Sequence, residues 1–238
     1  MRLLLGLGLL VGAVLLADLA ARFYLQWRIE QSVQEAMPPA TRGELRARVH
    51  GLSALWQLAE RDFEHISLES DRLELGGLVL SGRVDGYGVA LLDGAGMRQL
   101  SGSITLPAES VNALVQLPGS TSELRLGEGT VSYTSEVELF GTVMRVAVDA
   151  SVAVQGDRLI VDASRVQVQG AGVDVDAAEW FGGSSVFTFP VCSAEHLPVG
   201  VQLTDVQVRP EGVTVAFSAQ GLALDEATLN SRGSCRSG

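Results

Sequence analysis

The sequence predicts a β-rich α+β fold: a long, strongly curved antiparallel sheet forming a trough, a few short helices, and one N-terminal signal or transmembrane helix ahead of them. Three observations carry this. Gly127 to Gly170 alternates apolar and polar residues over strands longer than the usual five or six. The alternation slips by one residue at several places, the mark of bulges that bend and twist a sheet. Finally, Leu3 to Ala17 is an unbroken apolar run behind Arg2.

The 238 residues suffice for one large domain or two small ones, and 47% hydrophobic content excludes wholesale disorder. The net charge is −11, from 28 acidic and 17 basic residues, all of the latter Arg. That balance argues against a nucleic-acid partner, which needs a clustered basic surface.

Taken in order, residues 1–21 read as a signal anchor or signal peptide, because the apolar run has the length of an export signal or short anchor. No small-x-small cleavage site stands around Ala17 to Ala21, which favours an uncleaved anchor. Arg22 and Arg28 beyond the run blunt the positive-inside rule, so outward orientation of the domain rests on the short leader and the cysteine pair. Residues 22–39 read as a juxtamembrane helix stopped by Pro38-Pro39. Its Phe23, Tyr24 and Trp27 suit the headgroup level of a bilayer, and Ile29 and Val33 equally suit an amphipathic helix packed on the domain.

Residues 40–229 form the single expected domain. Leu45, Ala47 and Val49 alternate as a strand, whereas Leu52, Leu55, Trp56 and Leu58 or Ala59 have helical spacing, predicting a short helix laid across an apolar surface. Phe63, Ile66 and Leu68 begin a strand whose phase changes before Leu73 and Leu75. Further slips fall between Leu80 and Tyr87, at Ala163 to Val166 and at Leu203 to Val206. Gly76-Gly77, Gly94 to Gly96 and Gly182-Gly183 supply corners. Leu100 to Leu106 is a clean strand ending at Pro107, where PAESVNALVQLP starts a helix. Gln155-Gly156-Asp157 is a hairpin turn, as is Pro210-Glu211-Gly212 before Val213, Val215 and Phe217. Residues 230–238 read as a flexible tail.

Few residues suggest chemistry. His50, His65 and His196 lie on separate elements without a nucleophile motif, so no enzyme is expected. Asp174, Asp176 and Glu179 are too few for a calcium loop and read as a solvated turn; no metal site or other cofactor is expected. Cys192 and Cys235 are compatible with one disulfide in an oxidising compartment, the other reading being two free thiols.

What remains is apolar surface. Aromatic residues are 5% of the chain and the candidate helices are short, so the sheet is hard to cover at normal packing density. Small and β-branched side chains along a concave face leave room for an acyl chain. The candidate lining comprises Trp56, Leu106, Val111, Leu114, Val131, Tyr133, Val137, Val146, Val148, Val152, Val161, Val213, Val215 and Phe217. For each of these singly, ordinary core is the commoner role.

Several segments together resemble the LmeA-like phospholipid-binding proteins of the actinobacterial cell envelope. They are the apolar run ending at Asp18, VHGLSALWQLAERDFEHISLE from Val49, LSGRVDGYGVAL from Leu80, ITLPAESVNALV, the valine-rich hairpin, and LPVGVQLTDVQVRPEGVTVAFSAQGL from Leu197. Where the family usually carries Pro-Phe after the glycine, this chain has Leu52 and Ser53. The resemblance implies an exported, membrane-associated domain, its sheet rolled into an elongated barrel-like or tubular-lipid-binding-like trough with an apolar tunnel. It further implies binding or transfer of phospholipid or another diacyl lipid, a membrane partner, and support of envelope lipid or lipoglycan biogenesis at the outer face of the cytoplasmic membrane. It brings no catalytic residues. The competing expectation is an envelope structural or assembly factor with a closed, ligand-free core and protein partners.

Overall fold

The helix expected at the N-terminus is α1 (Arg2–Ala36), continuous through the proposed anchor and the juxtamembrane segment. The computed structural model describes residues 2–36, 41–90, 95–114, 123–139, 142–170, 173–176 and 188–235, and of these the side chains of 2–11, 36, 137–139, 142, 173, 174, 176 and 196 lie outside the description. Among the described residues no helix is long and apolar enough to cross a membrane. Below Asp18 the helix is amphipathic: Leu25 is buried and Ile29 packs beside it, while Phe23, Tyr24 and Trp27 stay exposed. Of the two roles open to this segment, Leu25 and Ile29 thus take that of an amphipathic helix packed on the domain.

Two antiparallel sheets follow. The first is built from β1 (Arg42–Gly43), β2 (Arg46–His50), β3 (Asp62–Leu75), β4 (Leu78–Ala90), β5 (Gly96–Pro107), β12 (Val201–Arg209) and β13 (Gly212–Ala223). Their order is β1-β3-β4-β5-β13-β12, with β2 also on β3. The second contains β6 (Arg125–Leu126), β7 (Thr130–Leu139), β8 (Thr142–Gln155), β9 (Arg158–Gly170), β10 (Val173–Asp176) and β11 (Thr188–Cys192). Its order is β10-β9-β8-β7-β6, with β11 on β9. The outer strand β12 of the first sheet lies against β7 and β8 of the second, and Gly129 N–H donates to the Val208 carbonyl at 2.9 Å.

Two separate sheets stand where the sequence predicts a single one, strongly curved and rolled into a barrel-like trough. Among the described residues neither sheet pairs its first strand with its last, the condition for closure, and neither curls strongly. The reason lies in what the phase slips are. Register breaks occur between Ser70 and Leu73, between Leu203 and Asp205, and between Asp149 and Ala150. Each disturbs one ladder at one point and restores the alternation beyond it, so the bend stays local.

Two short helices cover parts of the framework. α2 (Ala54–Glu60) joins β2 to β3, and α3 (Ala108–Leu114) packs on β4, β5 and β13. The β4–β5 ladder ends at Ser81 and Thr105, leaving the Val79 backbone unpaired on that side. Ser110 Oγ fills the gap, donating to the Val79 carbonyl at 2.7 Å and accepting from its N–H at 3.0 Å. Residues 115–122, which include the last four residues of the predicted PAESVNALVQLP segment, lie outside the described residues, as do 91–94 and the Gly182-Gly183 break.

The chain end is held down. Cys192 and Cys235 form a disulfide with Cα atoms 5.8 Å apart, excluding the free-thiol alternative. Beside it Gly233 N–H donates to the Leu197 carbonyl, after α4 (Glu226–Asn230). Closing a loop across 43 residues contributes stability of about 2–4 kcal/mol in an oxidising compartment.

Buried apolar residues are few and small. The buried set runs from Ala47 and Val49 to Ala219 and Leu222, and Phe63 is its one large, fully buried side chain among the described residues. The accessible surface is 15551 Å², against about 10,300 Å² expected for a folded monomer of this mass.

Candidate functional site

An apolar recess lies between α1 and the first sheet. It measures about 370 Å³, and among the described residues twelve line it, none with a polar side chain. Leu25, Ile29 and Val33, spaced by four along α1, form one wall. β3 supplies Phe63, Ile66 and Leu68; β4 supplies Val84, Gly86 and Val89; β5 supplies Met97 and Leu100; Leu224 closes the far side.

Side-chain alternation alone would not gather these residues. Phe63, Val89 and Met97 form one row of partners across β3, β4 and β5, and Ile66, Gly86 and Leu100 form another. The rows are three residues apart, which on a flat sheet puts them on opposite faces. Gly88 lies between them with φ of 58°, a conformation that costs glycine little, and the local twist there lets both rows face α1. The phase change expected between Leu80 and Tyr87 is displaced from this twist: Tyr87 still alternates with Val84 and stacks on His65 on the other face, and the change falls between Gly86 and Val89.

Antiparallel partners share a face, so the register shows where the predicted lining residues lie. From Ile66 and Leu68 the same face of the first sheet runs through Val84, Leu100, Gly102, Ile104 and Leu106 to Phe217, Val215 and Val213. Gly102 is needed there, because a Cβ would come within 2.6 Å of the Phe217 ring. Leu106, Val213, Val215 and Phe217 are half-buried on this face, beyond the recess. The second group lies on the other sheet. Val131 and Tyr133 of β7 share a face with Val148, Val146 and Val152 of β8 and Val161 of β9. The backbone of Val137 is partnered with Met144, and its side chain lies outside the description. All six others are half-buried, and Tyr133 also borders a mixed polar recess with Arg125 and Asp149. Val111 is half-buried and Leu114 is exposed on α3, while Trp56 is exposed on α2. The structure therefore gathers ten of the candidates into two faces, sets Trp56, Val111 and Leu114 on helices, and brings none of the described candidate side chains into the α1 recess.

α2 reverses its expected orientation. It buries Ala54 and Gln57, leaving Leu55, Trp56 and Leu58 exposed. Polar anchors decide this. Asp18 Oδ1 on α1 accepts from Ser53 Oγ at 2.7 Å and from Leu55 N–H at 3.0 Å. The Gln57 amide donates to the carbonyls of His50 and Ser53 and accepts from Glu64 N–H. Turning the leucines inward would leave those groups unpaired, at about 1–3 kcal/mol each where buried. The Leu55 N–H and the Ser53 hydroxyl hold the Asp18 carboxyl below its ordinary 3.8.

On the opposite face of β2, β3 and β4 sits a polar cluster whose histidines the sequence placed apart. His50 and His65 stack with ring centroids 4.2 Å apart, and His65 stacks on Tyr87 at 4.3 Å. His50 Nε2 meets Ser67 Oγ at 2.9 Å; His65 Nε2 meets Asp85 Oδ1 at 2.8 Å, and Arg83 donates to the same carboxylate. This is no nucleophilic relay: the hydroxyl and the carboxylate bond different imidazoles, and Ser67 is only 3% exposed. His196 has no described side chain, nor do Asp174 and Asp176, and Glu179 lies outside the described residues. Among the described residues no group of His, Cys, Asp and Glu could hold a metal ion.

Burial, with the His65 ring beside it, lowers the His50 pKa from its ordinary 6.5 despite the opposing pull of Asp85. The unfolded chain therefore takes up this proton first as pH falls. Stability declines as pH drops through 6.5, and the loss is complete below the folded-state value. The melting temperature should fall between pH 7 and pH 5, and His50→Gln should make that fall shallower. An unchanged slope in the variant contradicts the assignment.

The sequence profile of the LmeA-like phospholipid-binding family matches residues 16–218. No curated protein and no solved structure matches the chain.

Proposed function

The chain belongs to the LmeA-like phospholipid-binding family, and from that premise we propose that it binds phospholipid by taking an acyl chain into the recess between α1 and the first sheet. The observation that carries the reading is the recess itself, about 370 Å³ without a polar side chain in its lining. At about 30 Å³ per water-sized group, it has room for roughly twelve methylenes. Their burial contributes on the order of 10 kcal/mol before ordering costs, at about 0.8 kcal/mol each. A chain leaving a bilayer gives up a similar amount. The balance suits a carrier that exchanges lipid with membranes rather than a sink.

The half-buried faces carrying Phe217, Val215 and Val213 and, on the second sheet, Val146, Val148 and Val152 would receive the second acyl chain. The disulfide favours an oxidising compartment, which supports placing the domain outside the cytoplasmic membrane. There its role is non-enzymatic support of envelope lipid or lipoglycan biogenesis. A reporter active only outside the cytoplasm, fused at the C-terminus, tests the location; a signal only from a cytoplasmic reporter refutes it.

The binding test uses the full chain, because α1 supplies a wall of the recess. Solvent extraction and native mass spectrometry of the purified protein should show stoichiometric phospholipid. An apo mass, with no uptake from labelled vesicles, would instead point to an assembly factor acting through protein partners.

A further inference from the structure

α2 is a helix turned inside out. Leu52 at its start is 96% exposed and Trp56 65%, with Leu55 and Leu58 also exposed. It is fixed at one level of α1, through Asp18 to Ser53 and Leu55 and through Arg22 Nη2, which donates to the Gly51 carbonyl at 2.8 Å. That level is where the apolar run ends. On its N-terminal side α1 exposes Val14, Leu15 and Leu16, three successive positions that point in different directions around the helix.

A protein partner needs one apolar stripe on a helix, whereas a helix apolar all round is either buried in a core or immersed in lipid. Among the described residues no other element covers Val14 to Leu16, so a core is not the answer. The run from Leu3 to Ala17 rises about 22 Å as a helix, short of the roughly 30 Å hydrocarbon thickness. Extra apolar surface at the level of Asp18 is what such a short segment lacks, and α2 provides it. Tyr24 and Trp27 are exposed about two turns further along, as interfacial aromatics are.

We propose that α2 is a membrane wedge, inserting Leu52 and Trp56 into the headgroup–acyl boundary of a lipid bilayer beside the N-terminal end of α1. Asp18 and Arg22 set its angle. The wedge seats the recess above the membrane, so a lipid passes between bilayer and pocket over a short path. This rests on the lipid-binding reading and extends it to the surface that docks.

The test uses full-length protein in which Trp27 and Trp180 are replaced by Phe, leaving Trp56 as the only indole. With phosphatidylcholine vesicles dibrominated in the acyl chains, Trp56 emission should shift to the blue and lose about half its intensity relative to unbrominated vesicles. After flotation the quenching should belong to the protein that rises with the vesicles and be absent from protein left behind, which assigns it to the bilayer and not to lipid held in the pocket. Leu52→Glu, at a site too exposed to unfold the domain, should abolish the quenching and slow lipid exchange at least fivefold without changing the phospholipid that co-purifies. Unquenched Trp56 at saturating vesicles overturns the wedge, as does equal quenching in protein that does not float with the vesicles or unaltered exchange in Leu52→Glu. Protein that carries stoichiometric phospholipid while Trp56 stays unquenched refutes the wedge alone; protein whose Trp56 is quenched but which carries no lipid refutes the pocket alone.

Discussion

Val33→Trp should lower phospholipid loading by about two orders of magnitude while leaving the domain folded. Val33 lies on α1 in the wall of the recess and is only half-buried, so a larger side chain has solvent on one side and can swing into the cavity without forcing the sheet apart. An indole there displaces about four methylenes of bound lipid, a loss of roughly 3 kcal/mol or about 200-fold in affinity. The comparison variant is Val33→Ala, which enlarges the recess and should load at least as well as the parent. Lipid measured by extraction from equal amounts of the three proteins decides the matter. Equal loading of Val33→Trp and parent would move the lipid elsewhere.

Phe63→Ala should cost about 3–5 kcal/mol of stability, the usual range for deleting a buried aromatic ring. Phe63 is 1% exposed and forms a core cluster with Leu25, Val49, Ala54 and Val89, so one ring ties α1, α2, β2 and β4 together. Domains of this size are stable by only about 5–15 kcal/mol, so the loss takes a large share. Urea titration should show the midpoint falling with little change in slope. Phe63→Leu keeps most of the volume and should cost below about 1.5 kcal/mol. A midpoint for Phe63→Ala within error of the parent would show that α1 is not held through this cluster.

The strands were legible where alternation is long and unbroken. Gly127 to Gly170 shows its hairpin turn at Gly156, and Leu100 to Leu106 shows its end at Pro107, because a period of two is a local property. The bulges at Ser70 to Leu73, at Ala163 to Arg165 opposite Asp149 and Ala150, and at Leu203 to Asp205 were legible as phase slips. What the slips do to a whole sheet was not, since closure depends on which edges meet, and that is set by contacts far apart in sequence. The recess was hidden for a related reason. Its lining comes from two rows three residues apart, which period-two reading assigns to opposite faces, and only the left-handed turn at Gly88 reunites them. The spacing of Leu25, Ile29 and Val33 was the available signal for the helical wall. α2 misled because hydrophobic spacing says which residues share a face, and its orientation was decided by Asp18, thirty-five residues away from Ser53.

The most direct measurement of the central claim is photo-crosslinking with a phospholipid that carries a diazirine at mid-acyl chain, followed by peptide mapping of the adducts. If an acyl chain occupies the recess, adducts concentrate in residues 25–33, 63–68 and 84–100, and Val33→Trp removes them. Adducts confined to β7, β8 and β9 of the second sheet, or no labelling above that of the denatured chain, would contradict it.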